Sequence, residues 1–458
     1  MSIFLLGLVS LIFGIGSLIY ELNDINQRRS IRLINVFGLM YCLSYGFLTS
    51  IIMFAYEFAN IEFRRIVYTS SMMNSLWLWL LLAIIGYLVI RTVYSLKPVN
   101  LIASHGKCGV RNNQRDYKRL LITSFVCLAI GLVSLFLWSN AYGGVFELIK
   151  VANTVRSGHS DINNSMAFFK HPARIVTIVS YISVLLIQNK YKTRLNCLLF
   201  VISFISSILF MLASDGRLSM AMYFAVLLLI GGKVFKKTAI QGKKILFLCV
   251  IALLALLLII EMDSITHFIR TGEILQEEKA TRANGILNEF AFVIVAGQNA
   301  SNLWLTEGSH FLIFQDLLSG IFAWIPTSLK PGDFINIWEY NTQLCHMSNL
   351  YSGQWPTDFI STSIYTLGIG GVFVFSTFWG MIIKKIDWEY SENHSIFYDV
   401  VYYSLSMSFL RLVDYCMLYD FILGIFYIFV AFIIWKLSSL FVPQRQVCDN
   451  MVTSGENK

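Results

Sequence analysis

The chain alternates long apolar runs with short polar interruptions, and the runs have the length of a bilayer crossing. Eleven stand out, at 3–20, 33–54, 76–93, 120–138, 175–187, 195–213, 218–232, 245–260, 360–383, 396–412 and 416–435. A helix needs about 20 apolar residues to cross the hydrocarbon. Backbone groups cannot stay unpaired there, so each run is expected to be a helix. The expected fold class is an all-α polytopic integral membrane protein with about 11 transmembrane helices.

One interruption is long. The stretch 261–359 holds eleven acidic residues against four basic ones, Arg270, Lys279, Arg282 and Lys330, in a chain whose net charge is +8. An acidic, polar insert on a basic, apolar scaffold reads as a large extracytoplasmic loop. The chain then divides into an eight-helix region over 1–260, the loop over 261–359, a three-helix region over 360–440 and a polar, disordered tail over 441–458. Within the loop, 261–288 is charged and helical in pattern, with Glu277 and Glu278 preceding Arg282 at helical spacing. The next part, 290–304, is apolar enough to lie back on the protein or the membrane. Residues 311–324 carry an amphipathic pattern suited to an interfacial helix, ending at Pro326.

Orientation follows from Lys and Arg in alternate connections. One set carries 22 and the other 12. The positive-inside rule puts the richer set in the cytoplasm. The N-terminus and the large loop are then outside, and the C-terminus is inside.

Composition agrees. Hydrophobic residues make up 56% and charged residues 14%, whereas soluble domains carry about 25% charged. The positive charge sets orientation and does not point to nucleic acid. The eight cysteines show neither a disulfide framework nor Cys/His metal spacing. No P-loop or dinucleotide fingerprint occurs, so neither metal nor cofactor is expected. The first run lacks a basic lead and a small-residue cleavage site, and reads as a retained span. The halves show no repeat, which weighs against transporter folds built from repeated halves.

The candidate chemistry lies in ionisable groups at the outer face. Asp215-Gly216-Arg217 forms a tight turn between two spans, His171 and Arg174 open the fifth span, and Arg411 and Asp414 flank the last hairpin. Arg270 and Arg282 lie in the loop. Each alone fits a snorkelling anchor or half of a local ion pair equally well. Together, several arginines on one face suit an anionic lipid, because guanidinium groups bind phosphate in bidentate fashion and stay charged. His310 and His346 are candidate general bases, or plain surface histidines. Trp338, Tyr340 and Trp355 offer faces for sugar rings, while Trp304 and Trp324 fit an interfacial belt. Gly368-Ile369-Gly370-Gly371 lies inside an apolar run and reads as a close helix-packing surface.

Three segments resemble the Wzy-type O-antigen polymerases, the oligosaccharide repeat-unit polymerases. They are Ser214-Asp215-Gly216-Arg217 before an apolar span, Trp324-Ile325-Pro326-Thr327-Ser328-Leu329-Lys330-Pro331, and Asp358 through Tyr365-Thr366-Leu367-Gly368-Ile369-Gly370-Gly371. The layout, with a large outer loop before the last spans, is similar as well. The Arg-x10-Gly pattern of some members does not follow Arg217, Arg270 or Arg282. The resemblance implies the GT-C-like fold of lipid-dependent glycosyltransferases in the bacterial inner membrane, with the loop and N-terminus periplasmic and the C-terminus cytoplasmic. It implies a metal-independent enzyme that moves a growing glycan from undecaprenyl diphosphate onto the next lipid-linked repeat unit. Donor and acceptor are then undecaprenyl-diphosphate-linked oligosaccharides, and a chain-length regulator is a further partner. On that reading Arg174, Arg217, Arg270, Arg282 and Arg411 bind the diphosphate. His310, His346 or Asp358 takes the acceptor proton, and Trp338, Tyr340 and Trp355 hold sugar. An O-antigen ligase and a lipid-linked oligosaccharide flippase are the alternatives.

Overall fold

The computed structural model describes residues 2–63, 66, 69–96, 113–156, 164–189, 191, 193–214, 217–232, 267–268, 272–273, 279–308, 312–322, 325, 334–346, 355–392 and 395–442. Every regular element among them is helical. The helices are α1 (Ile3–Arg28), α2 (Leu33–Ala59), α3 (Ser70–Ser95), α4 (Asn113–Asn140), α5 (Val145–Arg156), α6 (Val176–Gln188) and α7 (Arg194–Ala213). They continue with α8 (Arg217–Gly232), α9 (Lys279–Glu307), α10 (Ile313–Ile321), α11 (Ile337–His346), α12 (Phe359–Glu392), α13 (Ile396–Asp414) and α14 (Leu418–Phe441).

Nine helical stretches among the described residues are long and apolar enough to cross a membrane, α6 being counted with the turns that lead into it from Ala167. They match nine of the eleven expected spans, and the chain is a multi-pass membrane protein. The expected span at 218–232 is present as α8, whose 16 residues fall short of that length. The expected span at 245–260, most of 261–278 and the tail from 443 lie outside the described residues. Hydroxyl caps open several spans: Ser2, Thr69, Thr193 and Ser395 each accept a backbone N–H from the first turn that follows, which satisfies one orphan donor per helix.

At one end of the bundle, away from the helices of the 261–359 insert, ionisable side chains join five spans. Glu21 accepts from Tyr87 at 2.7 Å, from Asn35 at 3.0 Å and from Arg91, all buried. Asn35 also donates to Asp24, which takes Arg28 Nε at 2.6 Å. Asp387 of α12 caps the start of α2 by accepting Leu33 N–H at 2.9 Å, and it also takes the hydroxyls of Tyr94 at 2.8 Å and of Tyr402. Charges buried in a bilayer persist where they are paired and fully hydrogen-bonded.

Midway along α2, residues Cys42–Leu48 wind as a π-helix, which leaves carbonyls to be satisfied from outside. Ser10 of α1 supplies its hydroxyl to the Tyr45 carbonyl and, at 3.1 Å, to that of Gly46. The two helices touch there: a Cβ on Gly46 would lie 2.4 Å from the Gly14 Cα.

The described helices of the insert pack on the spans. The apolar part of α9 is buried, with Val293, Ile294, Val295 and Ala296 at most 4% exposed. It packs against α3, where Gly297 lies under the Trp79 ring, and against α12, where Trp304 lies over Gly368. Residues 290–304 thus lie back on the protein, one of the two places the sequence leaves open. Trp304, expected in an interfacial belt, packs instead on a span. The expected interfacial segment forms α10. It buries Asp316, Ser319 and Gly320 against the start of α14 and turns Ile321 and Gln315 outward.

Candidate functional site

The end of the bundle that carries α9, α10 and α11 is organised around the start of α12. Asp358 is its N-cap and is fully buried. Its carboxylate accepts from Tyr45 of α2 at 2.7 Å, Trp79 of α3 at 3.1 Å, the Ile360 amide at 3.1 Å and the Ser361 amide and hydroxyl. Burial still pushes this carboxyl up from its ordinary range, against the pull of those donors. With five donors on two oxygens, Asp358 ties three helices together and faces no open space. One residue earlier, Thr357 gives its carbonyl to the Cys416 amide at 2.7 Å, and its hydroxyl donates back to the Cys416 carbonyl at 3.0 Å. Thr362 donates to the same carbonyl at 2.6 Å. The hairpin between α13 and α14 is thereby clipped to the first turn of α12.

That clip sets Arg411 and Tyr415. The Arg411 guanidinium lies 5.3 Å from the Tyr415 ring centroid. Tyr415 meets Trp338 edge-on at 6.1 Å and Phe292 at 4.9 Å. Two expected site residues, Arg411 and Trp338, therefore flank one ring. The expected sugar-binding aromatics gather around α11, which Asn336 caps by accepting Glu339 N–H at 2.8 Å. Asn341 donates to the Trp355 carbonyl at 3.2 Å and accepts the Tyr365 hydroxyl at 3.0 Å. Tyr340 stands edge-on to Tyr365 at 5.7 Å.

Tyr365 precedes a break in α12. Leu367 and Gly368 leave helical geometry, and Gly368 takes φ +65°, a conformation natural to glycine. The broken ladder leaves the Tyr365 carbonyl to the amide of Leu312, at 3.2 Å, just ahead of α10. Asp316, fully buried on α10, faces the backbone amides of Leu418 and Ile337, the first residues of α14 and α11. Burial pushes its carboxyl up to about 6.

Arg174 sits in a tight winding that precedes α6. The amides of Arg174, Ile175 and Thr177 each reach the carbonyl three residues back, a 3₁₀ pattern that re-aims the chain after Pro172. The guanidinium is placed over the ring of Tyr427 on α14, 4.8 Å from its centroid. It lines a cavity with Thr177 and Tyr181 of α6, Ser219, Met222 and Tyr223 of α8, and Ser404, Met407 and Ser408 of α13. Ser404, Met407, Ser408 and Arg411 form one stripe of α13, at the spacing that puts residues on a common helix face. Arg411 therefore stands one turn beyond the cavity wall. Arg217 opens α8 two residues before Ser219.

The structure thus brings Arg174, Arg411, Trp338, Tyr340, Trp355 and Asp358 to one end of the bundle. The side chains of Arg217, Arg282 and His346 lie outside the described part, as do Arg270 and His310 altogether. Sequence reasoning missed Asp316, read there only as a polar spacer in an amphipathic pattern. It also missed the two tyrosines under the arginines, which no motif marks. Among the described residues no group of His, Cys, Asp and Glu has metal-binding geometry. No family model, no curated protein and no solved structure matches this chain.

Proposed function

We propose that this protein polymerises lipid-linked oligosaccharide repeat units, as a GT-C-like, metal-independent glycosyltransferase of the bacterial inner membrane. The supporting observation is the convergence of Arg174 and Arg411 along one stripe of α13, beside the aromatic pair of Trp338 and Tyr415. On this reading the stripe's end is periplasmic. The two guanidiniums hold the diphosphate of the donor, whose lipid lies among the spans. Charge building on the leaving diphosphate is stabilised by donors already in place. The loop aromatics hold sugar of the acceptor repeat unit, and its hydroxyl oxygen attacks the donor's anomeric carbon. Asp358, buried and saturated, acts by tying α2 and α3 to the first turn of α12, to which Thr357 and Thr362 clip the hairpin that carries Arg411; the proton goes to another outer-face group, with His310 and His346 the candidates. Holding two lipid-anchored substrates in one plane supplies much of the acceleration.

The test is deletion in the native host, complemented with wild type, Arg174→Ala and Arg411→Ala, with surface polysaccharide resolved on a gel. The reading expects loss of the long ladder with a core-plus-one-unit band kept, and no ladder from either variant at normal expression. Loss of the single-unit band as well would favour ligation or flipping and overturn it.

A further inference from the structure

The described arginines of the candidate site share one arrangement: each guanidinium is laid over a tyrosine of the last hairpin or the span that follows it. Arg411 lies 5.3 Å from the Tyr415 centroid and Arg174 lies 4.8 Å from that of Tyr427. A planar guanidinium stacked on a ring face is held by the ring's negative quadrupole, and its five N–H groups point outward in its own plane. A ring contact of this kind holds the cation without an oxygen acceptor taking up its donors. The buried Arg91 at the opposite end also lies over a ring, 4.8 Å from the Tyr20 centroid, but it spends Nε and an Nη on Glu21.

Arg174 makes the case sharply. Among the described residues no carboxylate lies within ion-pair distance of it and no acceptor takes its side-chain N–H groups. Arg174 is half-buried and forms part of a cavity wall. An unstacked arginine in that position is drawn out to solvent along its flexible stem. The 3₁₀ winding after Pro172 brings its Cα to the wall, where the Tyr427 ring lies against the head and Tyr181 lines the same cavity.

We propose that Tyr427 is a positioning residue: its ring holds the Arg174 guanidinium flat at the cavity with its donor edges turned to the diphosphate of a polyprenyl lipid. This rests on Arg174 being a diphosphate ligand, as proposed above. The role belongs to the aromatic face, so the phenol oxygen of Tyr427 is dispensable.

The experiment measures binding of a sugar-free polyprenyl diphosphate to the full-length protein in lipid nanodiscs. The variants are Arg174→Ala, Tyr427→Phe, Tyr427→Leu and the double variant Arg174→Ala/Tyr427→Leu. Tyr427→Phe is expected to bind within about twofold of wild type. Tyr427→Leu and Arg174→Ala are each expected to weaken binding about tenfold, the scale of a desolvated cation–π contact. The double variant is expected to be no weaker than Arg174→Ala alone, because the tyrosine acts only through the arginine; a purely structural role for the ring gives additive losses. Wild-type binding by Tyr427→Leu, with Arg174→Ala still impaired, overturns the positioning role and leaves the clamp intact. Equal losses in Tyr427→Phe and Tyr427→Leu overturn it in favour of the hydroxyl. Wild-type binding by Arg174→Ala removes the clamp at Arg174 and the inference with it.

Discussion

Trp304 of α9 occupies the space where a side chain on Gly368 of α12 would stand: a Cβ there would come 2.2 Å from the indole. The glycine also has φ +65°, so two separate penalties oppose any larger residue. Gly368→Ala is expected to cost about 2 kcal/mol or more, from strained backbone and displaced ring together. Adding Trp304→Ala to it removes the collision and leaves the backbone strain, so the double variant recovers part of the loss relative to the Trp304→Ala background. Thermal unfolding in detergent checks this. Equal midpoints for wild type and Gly368→Ala would show that the contact does not constrain the helix.

Glu21 and Arg91 make a different prediction. Each is buried, and each is the other's main charge partner. Arg91→Leu leaves a carboxylate in the bundle with only Tyr87 and Asn35 as donors. Breaking a buried pair on one side costs about 3–5 kcal/mol, while replacing both with apolar groups is far milder. The yield of folded protein should therefore fall sharply for Arg91→Leu and recover when Glu21→Leu is added. A double variant worse than either single one would sink the account.

Asp316 gives a pH dependence whose sign can be worked out. Its carboxyl is raised from 3.8 to about 6 by burial, so the folded protein holds this proton more tightly than the unfolded chain. The stability it contributes is full below the ordinary value and is lost as pH rises through about 6. Asp316→Asn, which stays neutral, is expected to be more stable than wild type above pH ~7 and to lose that advantage toward pH ~5. Unfolding midpoints across that range test it. A constant gap between the two proteins would mean that Asp316 does not titrate there.

Asp358 and Thr357 are predicted to act on Arg411 from a distance. Thr357→Val removes one hydroxyl from the Cys416 carbonyl, which keeps Thr362, so stability should fall by about 1 kcal/mol. Asp358→Asn keeps shape but sets an amide donor among five donors, and should cost about 1–3 kcal/mol. Cysteine-accessibility labelling at a residue introduced for Tyr415 would report movement of the hairpin. Unchanged labelling in Asp358→Asn would separate the clip from the arginine.

The spans were legible because bilayer solvation writes itself into twenty-residue windows, and nine of them appear where the apolar runs stand. The burial of α9 was half legible: 290–304 is apolar, but nothing in a linear pattern says that Gly297 and Gly368 are paired with Trp79 and Trp304. Glu21, Arg91 and Asp387 look like ordinary boundary charges in the sequence. Their pairing is a matter of helix rotation and depth, which hydropathy does not encode. Asp358 was noticed for its place before a span, and its five donors come from α2, α3 and α12 itself, a convergence visible only in three dimensions.

The helix α9 is held between a span made before it and a span made after it, by Gly297 on Trp79 and Trp304 on Gly368. The amide of Leu312 likewise finds its acceptor on Tyr365, more than fifty residues later in synthesis. While the chain is still being made, the whole insert must therefore wait in a half-finished state, its apolar face covered on one side only. Insertion of α12 is the event that closes it, so the order of assembly here runs against the order of the chain.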